Sequence, residues 1–119
     1  MNVNVLYRGR AAMLASAELF EELLDFVESL PEAHGRFPQL MRCEGSGVYF
    51  SRREAGALAI ELLQVLRALE EWDEKRAADF QPIVDRLARI AFQCVATGEP
   101  VYLEVTTGTA SPVEAGGQR

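Results

Sequence analysis

The chain has 119 residues, 49% of them apolar and 25% charged, enough to bury one core and unlike the composition of a disordered polymer. Its 18 acidic and 12 basic side chains leave a formal charge of −6, a field that disfavours nucleic acid and favours a basic protein as partner. No apolar run reaches the ~18 residues of a membrane span, and Met1-Asn2-Val3-Asn4-Val5-Leu6-Tyr7-Arg8 lacks the pattern of a secretory signal, so a cytoplasmic location is expected.

Val3, Val5 and Tyr7 alternate with Asn2, Asn4 and Leu6, the period of a strand with one polar face. Arg8-Gly9-Arg10 then turns the chain, since glycine tolerates positive φ. Residues 11–15 read equally as a short strand or as the run-up to a helix. Ser16 suits the N-cap of a first helix over 17–30, in which Leu19, Phe20, Leu23, Leu24, Val27 and Leu30 share one face and which Pro31 stops. Its opposite side carries Glu18, Glu21, Glu22, Asp25 and Glu28. Residues 11–35 hold six acidic side chains and no Lys or Arg, a block that is either a solvated face or an acidic docking surface.

Residues 31–38 read as a loop holding His34 and Gly35. Residues 39–43 and 47–50 read as two strands, with Glu44-Gly45-Ser46-Gly47 as the hairpin between them. Ser51-Arg52-Arg53-Glu54 is a capping box, and Ala55, Leu58, Ala59, Leu62, Leu66 and Leu69 form the stripe of a second helix over 52–69. The charged stretch 70–79 either extends that helix or connects it to the next.

A third helix is predicted over 80–97, with Asp79 as cap and Pro82 in the first turn, where its missing N–H costs little. Its apolar face runs from Phe80 through Ile83, Val84, Leu87, Ile90, Ala91 and Cys94 to Val95, and Gly98 suits the C′ position. Val101-Tyr102-Leu103-Glu104-Val105-Thr106 is a last strand. From Gly108 the chain is small and polar and reads as a disordered tail, leaving 1–107 as a single domain. The expected fold is α+β: a mostly antiparallel sheet of four or five strands packed by three helices, the two long helices covering one face. The βα alternation is too irregular for a doubly wound sheet.

The residues that could carry chemistry are scattered. His34 is the only histidine and has no partner motif; without CxxC or a histidine pair, no metal and no cofactor are expected. Cys43 and Cys94 lie in apolar segments and read as buried, reduced thiols, although Arg42 beside Cys43 is the kind of neighbour that lowers a thiol pKa. Glu21/Asp25 and Glu18/Glu22 sit at i, i+4, a spacing that places two carboxylates side by side but names no reaction. Gly45-Ser46-Gly47 precedes a strand, so it lacks the helix N-terminus of a phosphate cradle. Trp72 stands among Glu70, Glu71, Asp73 and Glu74, an aromatic suited to anchoring a basic surface.

The strand-to-helix passage Gly47-Val48-Tyr49-Phe50-Ser51-Arg52-Arg53-Glu54-Ala55, with the acidic first helix, resembles the small acidic immunity proteins by which bacteria neutralise toxins of interbacterial competition. The resemblance is one of style over the chain and assigns no residue. It implies a non-enzymatic inhibitor of a toxin acting in the cytoplasm. An inhibitor needs surface complementarity and no chemistry of its own, and an acidic one associates quickly with a basic target. The partner-binding candidates are then Glu18, Glu21, Glu22, Asp25 and Glu28, with Glu70, Glu71, Trp72, Asp73 and Glu74 as a second set. Two other readings compete. One is an acidic secretion chaperone. The other is a small-molecule-binding domain or enzyme with a pocket between sheet and helices, using His34, Cys43 or the first-helix carboxylates.

Overall fold

A computed structural model describes residues 1–44, 47–71 and 74–106. These form a four-stranded antiparallel sheet and, among the described residues, five α-helices. The strands are β1 (Asn2–Tyr7), β2 (Arg10–Ser16), β3 (Gly47–Phe50) and β4 (Val101–Thr106), in the order β2-β1-β4-β3. The helices are α1 (Ala17–Glu28), α2 (Ala33–Arg36), α3 (Pro38–Met41), α4 (Arg52–Glu70) and α5 (Glu74–Thr97). The expected α+β class and antiparallel sheet are what the structure has. No helix among the described residues is long and apolar enough to cross a membrane.

β1 and β2 form a hairpin closed by Arg8 and Gly9, with Tyr7 paired to Arg10. Both turn residues have positive φ, 55° and 76°, as a two-residue hairpin matching the strand twist requires. Residues 11–15 are therefore strand. A bulge where the register shifts between Val3 and Asn4 lets both Leu14 and Ala15 be buried, and Arg86 of α5 donates to the Met13 and Leu14 carbonyls at 3.4 and 3.2 Å. β4 enters between β1 and β3, so the last strand completes the centre of the sheet.

One face of the sheet presents Val3, Val5, Val48, Phe50, Val101 and Leu103 to the core. α1 and α5 lie against this side, and α4 packs along α5 and reaches the sheet at β3. On the other face Met13, Tyr49 and Tyr102 are exposed. The Tyr102 ring crosses over Gly47, filling the space a Cβ would need. Asn4, on the polar side of β1, is nevertheless buried, because β1 is central and Met13 and Glu104 flank it on the neighbouring strands.

Three expectations are corrected. Residues 31–38 are not a plain loop: they contain α2 and the start of α3, and bury Ala33 and Phe37. Residues 39–43 are not a strand; α3 runs on into a 3-10 turn over Arg42–Glu44, so there is no hairpin partner for β3 from this side. The cause is a distant side chain. Glu61 of α4 accepts from the Gln39 and Leu40 backbone N–H groups at 3.1 and 2.9 Å, capping the free amides of α3.

The third correction is the start of α5, at Glu74 and not near Phe80, which puts Pro82 inside the helix. Pro82 and Ala78, whose carbonyl loses its i+4 donor, are both on the solvent side, where water can serve instead. The expected three helices thus become three long ones and two single turns. The disordered tail assigned to 108–119, and the Gly45-Ser46 part of the expected hairpin, lie outside the described residues.

Candidate functional site

α1 is held at its start by two bonds. Ser16 Oγ accepts from the Leu19 N–H at 3.2 Å, and the Ala17 N–H donates to the Met1 carbonyl at 2.8 Å. That fixes the helix rotation. Phe20, Leu23, Leu24, Phe26 and Val27 are buried, and Glu18, Glu21, Glu22, Asp25 and Glu28 are all exposed. The five carboxylates expected on one solvent side are therefore there together.

Two of them border a cleft of about 530 Å³ between α1, the end of the sheet and the 3-10 turn. Its apolar surface comes from Met1, Val3, Phe20, Leu24 and Val105. Glu21 and Asp25 stand on one wall, one helical turn apart, and Glu44 on the other. A concavity with an apolar floor and a carboxylate rim matches a lysine or arginine side chain, whose methylene stem is apolar and whose head is a cation.

Cys43 also lines this cleft. Its thiol is buried and donates to the Gln39 carbonyl at 3.7 Å, and burial pushes its pKa up to about 12 against the weaker opposing pull of Arg42. A thiolate is needed for nucleophilic attack, so the group is inert at neutral pH. Burial raises Cys94 as well, and both cysteines are free. Arg42 is engaged elsewhere: it pairs with Glu54 at 3.2 Å, donates to the Tyr49 carbonyl at 2.9 Å, and lies 5.0 Å from the Phe50 ring centre. It clamps the 3-10 turn to β3 and α4.

His34 is exposed on α2, with Nε2 3.4 Å from Glu28 Oε2. It borders neither this cleft nor a groove of about 560 Å³ beside the β1–β2 hairpin. The structure therefore does not bring His34, Cys43 and the α1 carboxylates into one catalytic group. Among the described residues no cluster of three or more His, Cys, Asp or Glu is placed to hold a metal ion.

Of the second candidate set, Glu70 and Glu71 are exposed at the end of α4, and Glu74 is the first residue of α5. Trp72 and Asp73 lie outside the described residues. Glu44, opposite Glu21 and Asp25, is the residue sequence reasoning missed. Its only signal was a position just before two glycines, and it was read as part of a hairpin turn.

Comparison of the chain with protein-family models, with curated proteins and with solved structures finds no match.

Proposed function

We propose that the protein is a non-enzymatic binding domain that docks a basic protein partner on the exposed face of α1, with a partner lysine or arginine entering the cleft between Glu21, Asp25 and Glu44. The observation that carries this is the cleft itself: a carboxylate rim over an apolar floor, on the same side as the five α1 carboxylates. Solvated acidic helices are common, but a helix that serves only solubility needs no concave anchor beside it. Cys43 is buried and protonated, and His34 meets Glu28 on the open surface, outside both concavities, which weakens the enzyme reading that would use them. Within the binding class, we favour an immunity-type inhibitor of a toxin acting in the cytoplasm, on the strength of the resemblance and of charge complementarity.

The test is genetic and then biophysical. Expression of the gene next to this one should arrest growth, and co-expression of the present chain should restore it. Rescue should fail when Glu21 and Asp25 are both changed to lysine in a chain that still folds by circular dichroism. Rescue by that variant equal to the parent overturns the assigned surface. A neighbourhood of metabolic genes overturns the immunity assignment.

A further inference from the structure

A second concavity lies on the same face of the hairpin, at its turn end, whereas the acid-rimmed cleft lies at the Met1 end. β2 carries only alanine at positions 11 and 12, so the tip of the hairpin stands away from α5 and leaves the groove of about 560 Å³. Val5, Ala12 and Ile90 form its apolar surface, and Tyr7 walls it, held by a 2.8 Å bond between its Oη and Thr97 Oγ1. Arg8 and Arg10 stand at one end. No carboxylate among the described residues forms an ion pair with either.

The turn supplies an independent observation. Two-residue hairpins of this kind favour Asn, Asp or Gly at the first position, because φ is positive there. Here that position is Arg8, with φ at 55°. A long cation thus occupies a left-handed position that strains any side chain with a Cβ. Strain of this sort, at the mouth of a cavity, points to a use for the side chain.

We propose that this groove binds an amphipathic carboxylate, its aliphatic chain along Val5, Ala12 and Ile90 and its head on the guanidinium groups of Arg8 and Arg10. An apolar trough closed at one end by two cations that have no ion-pair partner among the described residues is complementary to a flexible alkyl chain with one anionic end. The ligand is the free amphiphile. An anionic bilayer would have to approach a protein whose net charge is −6.

The test is calorimetric titration of the full chain with dodecanoate, kept below its micelle concentration, alongside dodecanol, which has the same chain length and no charge, and sodium acetate. Dodecanoate should bind at one site, dodecanol at least tenfold more weakly, and acetate not measurably. Arg8→Gly removes one cation and the strained φ together, so it should melt at the same temperature or higher while binding dodecanoate at least tenfold more weakly. Arg10→Gln should weaken binding similarly, and Ala12→Leu should abolish it by filling the groove. Dodecanoate affinity unchanged in Arg8→Gly and Arg10→Gln, or no binding to the parent chain, overturns the proposal. Sedimentation with phosphatidylglycerol vesicles that is lost in the same variants overturns the free ligand in favour of a membrane lipid.

Discussion

Glu61 is the charged side chain on which the local fold depends most. It is buried, and both its oxygens accept backbone N–H groups of α3. Removing it leaves two amides without acceptors in a closed site, so Glu61→Ala should cost about 2–4 kcal/mol in urea unfolding, more than an exposed glutamate would. Its titration also has a definite sign. Burial raises its pKa, and the two hydrogen bonds only partly offset this. The folded chain therefore holds this proton more tightly than the unfolded chain. The stability it contributes is full below the unfolded carboxylate pKa and is lost as pH rises through the raised folded value. Glu54 behaves oppositely. The Ser51 N–H donates to its carboxylate at 2.9 Å, and this bond, with help from the Ser51 hydroxyl and Arg42, holds its pKa below the usual value. Its contribution is present above the unfolded pKa and lost as pH falls through the depressed one. The stability difference between parent and Glu61→Gln should shrink from about pH 4 towards neutrality, and that for Glu54→Gln should grow. Parallel slopes in the two unfolding series would contradict this pair of assignments.

At the scale of elements, the well-read parts were those whose signals are local. Ser51 and Glu54 make both bonds of the capping box, and α4 runs from Arg52 to Glu70 behind it. Gly98 has φ 81° and its N–H donates to the Cys94 carbonyl at 2.7 Å, ending α5 as the sequence suggested. Ser51→Ala should therefore cost about 1 kcal/mol, and Gly98→Ala about 1–2 kcal/mol, both read by thermal or urea unfolding. The misread elements were those decided at a distance. Residues 38–41 are helical because Glu61 reaches them from more than twenty positions away, and no window around Leu40 contains that fact. Pro82 suggested a helix start, yet on the solvent side of α5 an interior proline is tolerated. The exposed α1 carboxylates were legible because one helix carries them all. Their cleft was not, since Glu44, Met1 and Val105 come from three other parts of the chain.

For the whole molecule, charge and shape are divided between two regions. The α1 side has five exposed carboxylates and an acid-rimmed cleft, whereas the hairpin end has Arg8 and Arg10 beside an apolar groove. Attraction between exposed charges is screened over about 8 Å at physiological ionic strength, so it acts mainly on encounter. A basic partner docking on α1 should thus associate faster at low salt. Changing Glu21, Glu22 and Asp25 to lysine should slow association about tenfold or more and flatten its salt dependence. The fold should survive, because all three side chains are exposed and such substitutions shift stability little. Burial of a partner cation in the cleft adds a separate signature. Glu44→Gln, on the far wall, should mainly speed dissociation, since truncating one partner of a closed charge pair acts on the off-rate. Stopped-flow association and surface-plasmon dissociation measured on both variants separate the two effects. If Glu44→Gln changes neither rate while the triple reversal slows association, steering by α1 stands and the cation in the cleft does not.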